Sequence, residues 1–298
     1  MKIVVAGGTG FIGREVVKAL LPRGEVLVLS RHPERVKQGR GVLWNPSVEG
    51  PWQKEVRDAS VIINLAGENI GEGRWTDERK RQLTDSRIGA TRALVSALGE
   101  STIEGRLFIS ASAIGYYGPR GDESLDETAP AGNDFLARLT ADWEAEARKA
   151  EATARVVLLR FGIVLAQDGG ALGKMILPFK MFAGGPMGSG KQWMSWVHRD
   201  DVVRMIEWTI DRPECRGVYN VTAPQPVTNK DFASELGRAL SRPALIPTPG
   251  FALRIALGEM ADALLLSGQK VLPSRAVAEG FKLRYERLSD ALANILKG

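Results

Sequence analysis

Short unbroken apolar runs alternate along this chain with longer stretches in which apolar residues recur every three or four positions. The runs at residues 2–6 (KIVVA), 25–30 (EVLVLS), 60–67 (SVIINLAG), 105–112 (GRLFISAS) and 154–165 (ARVVLLRFGIVL) read as strands. Their near-continuous hydrophobicity is that of strands covered on both faces. Helical spacing fills the gaps: 11–21, with Phe11, Val16, Ala19 and Leu20 on one side and Pro22 and Gly24 as the stop, then 77–99 and 134–150. Strand and helix in alternation predict an α/β fold, a doubly wound, Rossmann-like parallel sheet.

After residue 165 the rhythm changes. Residues 168–193 (DGGALGKMILPFKMFAGGPMGSGKQW) are rich in Gly, Met and Phe and read as a loop with a short helix, suited to the wall of a ligand cleft. A helix at 199–210, a strand at 217–223 and a helix at 228–240 follow, the last opened by the capping pair Thr228 and Asp231. The tail reads as helix (250–266), strand (281–285) and helix (288–296). The expected organisation is a nucleotide-binding domain over 1–165, drawing also on 198–224, and a smaller, mostly C-terminal α+β substrate lobe over 166–298.

Composition narrows the class. With 298 residues, 44% apolar and 25% charged, the chain has the balance of an ordinary globule large enough to bury its own core. Cys215 is the one cysteine, so no intramolecular disulfide forms; with His32 and His198 as the only histidines there is no Cys/His metal cluster. No signal peptide or membrane span is visible, because the best apolar stretch carries Arg254, Glu259 and Asp262. A cytoplasmic protein, monomer or homodimer, is expected. The net charge of +5 is interspersed, favouring anionic small ligands over nucleic acid, for which no motif is present.

The chemistry begins at GGTGFIG, residues 7–13, between the first strand and first helix. Gly7 permits the tight turn, Gly10 lets the backbone approach a pyrophosphate, and Gly13 lets the helix pack on the strand. The helix start, with Thr9, Phe11 and Ile12, offers N–H groups and a partial positive charge to phosphates. At the end of the second strand an NAD enzyme places an acid; here Ser30 and Arg31 stand, with Arg35 beyond. An arginine attracts the 2′-phosphate that a carboxylate repels, so NADP(H) is expected. Residues 185–192 (GPMGSGKQ) imitate a P-loop, but Gln192 replaces its Ser/Thr and neither the strand nor the helix is in place.

GGTGFIG, NLAG (64–67), SASAIGYYG, LRFGIVL, WVHRDDV and GVYNVTAPQPVT come in the order seen in extended short-chain dehydrogenases/reductases. NLAGENI, DFLARLTADWE and LLLSGQKVLPSRAVAEGF make the chain resemble, more closely, the atypical epimerase-like subgroup typified by human SDR family 39U member 1, with its own small C-terminal domain. The resemblance implies a cofactor across Gly7–Gly13, with Leu65, Ala66 and Gly67 on its adenosine and ribose side. It puts Arg87 where the group often has an asparagine near the catalytic centre. Ser110, Ala111 and Ser112 then end a strand beside the nicotinamide, and Arg160, Phe161, Gly162 and Ile163 pass near its amide. His198 and Asp201 read as catalytic groups or as a link between lobes.

The group's Tyr-x-x-x-Lys, in which lysine lowers the tyrosine pKa for proton exchange, is missing: the matching helix, DFLARLTADWEAEA, has no tyrosine. Ser112, Tyr116 and Tyr117 are the candidate catalytic groups, though a phenol near pH 10 is a poor base unassisted; they serve equally to bond the cofactor and shape the pocket. The expected function is an NADP-dependent oxidoreductase or epimerase acting on an unidentified small polar substrate, sugar-like or nucleotide-sugar-like, or else a non-catalytic NADPH-sensing protein.

Overall fold

The structure is a computed structural model that describes residues 1–99 and 103–297. In chain order it forms β1 (Lys2–Ala6), α1 (Gly13–Leu20), β2 (Glu25–Ser30), β3 (Arg40–Leu43), α2 (Trp52–Arg57), β4 (Val61–Asn64), α3 (Asp77–Leu98), β5 (Leu107–Ala113), β6 (Ser124–Leu125), α4 (Phe135–Arg148), β7 (Arg155–Phe161) and β8 (Ile163–Ala166). There follow α5 (Gly170–Lys180), β9 (Trp193–Met194), β10 (Trp196–His198), α6 (Arg199–Asp211), β11 (Gly217–Val221), β12 (Val227–Thr228), α7 (Asn229–Leu240), α8 (Gly250–Leu257), α9 (Glu259–Ala261), β13 (Lys270–Val271), α10 (Ser274–Ala278) and α11 (Leu288–Lys297).

Seven strands make one parallel sheet in the order β11-β7-β5-β4-β1-β2-β3. The order reverses between β1 and β4, and the crevice at the carboxyl ends of those two strands is where such sheets take ligands. Alternate residues of each strand feed two apolar layers. Ile3, Val5, Ile63 and Ile109 pack with Val16, Leu20, Val202 and Ile206 on one face. Val4, Leu27, Ile62, Phe108 and Leu158 pack with Leu94 and Ala97 on the other. Coverage on both faces is why these strands carry no polar alternation. A further core joins α5, α7 and α11 through Leu172, Ile176, Phe232, Leu236 and Leu292.

Three expectations are corrected. The run 154–165 is two strands: a methyl group at Gly162 would collide with the Ser195 carbonyl, and there the chain leaves the main sheet so that β8 pairs with β10 instead. Residues 281–285 form no strand, because the Arg284 and Tyr285 amides donate to the buried Asp201 carboxylate at 2.7 and 3.0 Å. The glycine-rich stretch holds its expected helix, the eleven-residue α5, with Pro178 in its last turn. The tail helix is interrupted at Gly258 (φ +64°) into α8 and α9, followed by a π-helical turn over Asp262–Leu266. Short elements went unread, β3, α2, β6, β9, β10, β13 and α10 among them; β3 is an edge strand with one neighbour and mixed burial, so it carries little apolar signal. Thr228 caps α7 as expected, accepting from the Asp231 amide at 3.2 Å.

Candidate functional site

The glycine turn lies at the carboxyl end of β1. Gly7 sits at φ +79°, and a Cβ there would stand 2.6 Å from the Leu65 carbonyl oxygen, so both conformation and space demand glycine. The Gly10 amide donates to the Gly7 carbonyl at 3.0 Å and closes the turn. A methyl at Gly13 would collide with that same carbonyl; its absence lets α1 start directly against the turn. Thr9 and Gly10 are exposed, and a Cβ at Gly10 would meet only the Gly7 oxygen, at 3.2 Å. Ile12 packs into the core, and α1 has no side-chain cap. The Phe11 ring is held between Gly169–Gly170 and the Arg199 guanidinium, 5.1 Å from the ring centre. Asp168 joins Arg199 (2.5 Å) to Arg14 on α1, so the segment after β8 is fastened over the glycine turn.

Beside this turn β2 ends in Ser30, whose Oγ accepts from the His32 amide at 3.0 Å and bends the chain outward. Arg31 is exposed and has no hydrogen-bond or ion-pair partner among the described residues. Arg35, also exposed, stands 3.6 Å from Glu34. On the other side of β1, the Leu65 amide donates to the Ala6 carbonyl (2.9 Å) and the Ala66 amide to Asn64 Oδ1 (3.2 Å). Buried Asn64 donates to Thr91 on α3, and so does Trp143 on α4, each at 2.8 Å. Arg87 is half-buried behind Gly67: its guanidinium donates to the Leu83 and Glu68 carbonyls (3.1 and 2.9 Å) and lies over the Trp143 ring. The structure thus brings Gly7–Gly13, Ser30–Arg31 and Leu65–Gly67 to one rim across the ends of β2, β1 and β4.

The second cluster lies under the ends of β5 and β7, where Ser112 and Arg160 are register partners. Ser112, 2% exposed, donates to Glu144 Oε1 at 2.6 Å. Arg160 binds both oxygens of Glu144, at 2.7 and 2.8 Å, and donates to the Tyr117 hydroxyl at 3.0 Å. Tyr117 donates in turn to Asn220 Oδ1 at 2.7 Å. Burial opposes the Arg160 charge, and the paired carboxylate more than offsets it, holding the guanidinium above its ordinary range. Burial pushes the Tyr117 phenol up to about 12. Tyr116 differs: it is half-buried, its ring faces the Arg160 guanidinium at 3.4 Å, and its hydroxyl has no hydrogen-bond partner among the described residues. Ser110 is buried and bonds the Ala111 carbonyl, whereas Phe161, Gly162 and Ile163 are half-buried where the chain changes sheets.

Glu144 and Asn220 were not among the expected residues. Glu144 had a signal: it shares the buried stripe of α4 with Leu136, Thr140, Trp143 and Ala147, and a charge on an apolar stripe needs a partner. His198 Nδ1 accepts the Asp200 amide and caps α6, and buried Asp201 accepts the Arg284 and Tyr285 amides of the tail. Residues 185–192 lead into β9, not a helix, and Gln192 bonds the Leu265 carbonyl at 2.6 Å. Among the described residues there is no metal-binding group of His, Cys, Asp and Glu, and no helix long and apolar enough to cross a membrane.

Residues 3–222 match the model of the NAD dependent epimerase/dehydratase family, and residues 248–295 match a domain of unknown function, DUF1731. The chain is 42% identical over 304 residues to the Arabidopsis thaliana chloroplastic homolog of epimerase family protein SDR39U1, covering 100% of this chain and 87% of that protein. It is 38% identical to Bacillus subtilis epimerase family protein YfhF, covering 99% and 98%. Among solved structures it is similar to human SDR39U1 crystallised with NADPH, at a TM-score of 0.86 and 33% identity over 100% of this chain and 99% of that one. A nucleoside-diphosphate sugar epimerase from Corynebacterium glutamicum aligns at a TM-score of 0.78 and 29% identity over 99% of this chain and 57% of that one. With its glycine turn, its strand order and a family match across most of its length, the chain belongs to the NAD dependent epimerase/dehydratase family.

Proposed function

We propose that this protein binds NADP(H) across the glycine turn and works as an oxidoreductase or epimerase on a small polar substrate. The observation that carries the reading is Arg31: an exposed guanidinium at the end of β2, without a partner among the described residues, beside a turn that the exposed Gly10 keeps clear. The residues present fit the cofactor, because no side chain at Gly10 fills the turn and Ser30 and Arg31, in place of an acid, end β2. The turn and the start of α1 would hold the diphosphate, Ser30 and Arg31 the extra phosphate with Arg35 nearby, and Leu65–Gly67 the adenosine side. When bound, the cofactor supplies hydride exchange. Ser110–Ser112 and Arg160–Ile163 lie on the nicotinamide side, and Tyr116 is the phenol left free to meet a substrate. A reducing compartment such as the cytoplasm suits the single, buried Cys215.

Calorimetry with Arg31→Asp tests the reading. NADPH affinity should fall roughly 10- to 100-fold, the scale of a charge-assisted hydrogen bond, with NADH nearly unaffected. Equal loss for both coenzymes would refute the phosphate assignment. One observation favours a non-catalytic NADPH sensor instead: the Ser112 and Tyr117 hydroxyls are both spent on the Glu144–Arg160–Asn220 network. Tight NADPH binding without oxidation across a broad carbonyl panel would favour that second reading.

A further inference from the structure

A cavity of about 240 Å³ opens between the start of α4, the segment entering α3 and the turn after α9. Its lining includes Trp75, Phe135 and Leu136 on the apolar side and Asp134, Glu259 and Asp262 on the polar side, with no lysine or arginine. It adjoins the strand end where the candidate chemistry lies: Leu136 packs on Gly115, three residues past Ser112, so closely that a Cβ on Gly115 would stand 3.3 Å from its Cβ. We propose that this cavity is the substrate pocket and that it takes an uncharged polyhydroxylated ring, not a nucleoside diphosphate sugar. The proposal rests on the cofactor reading above and adds the substrate class to it.

Three arguments carry it. The first is size: the volume falls below the roughly 300–1,000 Å³ of sites for larger ligands, leaving room for one ring-sized molecule. The second is charge. A diphosphate needs unpaired cations or uncapped helix-start amides around it, and here Lys80 and Arg254 are already paired with Glu259 and Asp262, and Asp134 caps the start of α4. The third is that these carboxylates are already compensated. Glu259 pairs with Lys80 at 2.6 Å and Asp262 with Arg254 at 3.0 Å. Asp134 caps α4, accepting the Ala137 amide at 2.8 Å at the positive end of that helix. A compensated carboxylate does not require a ligand cation, yet each has up to four acceptor positions, more than its partner uses. The complementary ligand therefore brings hydroxyl donors for the acid wall and an apolar ring face for Trp75 and Leu136; Phe135 meets Trp75 edge to face at 5.4 Å and carries the Lys80 ammonium 5.2 Å from its ring centre.

Saturation-transfer NMR on the NADPH-loaded protein tests this with glucose, myo-inositol, glucosamine and UDP as probes. Glucose or myo-inositol should give a signal that falls at least threefold in Asp262→Ala, a half-exposed position whose loss spares the core. The proposal is overturned if UDP binds and displaces the neutral probe, if glucosamine binds tenfold more tightly than glucose, if neither neutral probe binds, or if Asp262→Ala changes nothing. NADPH fluorescence in the same samples reports on the cofactor separately. Bound NADPH with silent probes defeats the pocket alone; unbound NADPH defeats the cofactor reading, and the pocket assignment with it.

Discussion

Two glycines of one motif do different work, and substitution separates them. Gly13 is a packing glycine: a methyl there meets the Gly7 carbonyl, so Gly13→Ala should lower stability by about 1–3 kcal/mol, the cost of forced overpacking, read as a lower urea midpoint. Gly10 is exposed and a side chain there would meet only the Gly7 oxygen, at 3.2 Å, so Gly10→Val should lower that midpoint less than Gly13→Ala while abolishing NADPH binding in a titration. The motif was legible without coordinates because a turn that crowded admits one residue type, and composition then records the conformation. Arg31 was legible through the absence of an acid at its position. Glu144 was not singled out: its residue type says only that a partner must exist, and the partner, Arg160, lies sixteen residues on, on a strand whose register against β5 sets the meeting.

At the level of elements, α4, β5, β7 and β11 are bolted together by the chain Ser112–Glu144–Arg160–Tyr117–Asn220. Removing one member of a buried ion pair leaves the other charge uncompensated, so Glu144→Ala should cost about 3–5 kcal/mol. Replacing both members by apolar residues of similar volume should recover most of that loss, a comparison that denaturant melts can make. The same network shapes the alkaline limb of stability. Burial raises the Tyr117 phenol from 10.0 to about 12, so the folded state keeps a proton that the unfolded chain gives up. Stability from this group is complete below about pH 10 and is lost as pH climbs towards about 12. Urea unfolding between pH 9 and pH 12 should therefore show a shallower decline in Tyr117→Phe than in the parent. If the two slopes coincide, Tyr117 does not hold its proton as the geometry requires.

Across the whole molecule, the tail is bound to the sheet domain through Asp201, which is fully buried at the start of α6 and receives the Arg284 and Tyr285 amides. Asp201→Ala should raise hydrogen exchange in 281–297 and leave the glycine turn and NADPH affinity unaltered; protection changes spread evenly over the sheet would contradict this linkage. The sequence by itself determined the doubly wound core and the identity of the glycine turn, because buried strands need unbroken apolar runs, helices need their three-to-four spacing, and a left-handed turn needs glycine. Only the tertiary structure decided that β7 and β8 part company at Gly162, that 281–285 is anchored to a carboxylate instead of a strand, and that Tyr117 is sealed while Tyr116 is free. Those outcomes depend on contacts between residues far apart in the chain, and local pattern carries no record of which distant group arrives.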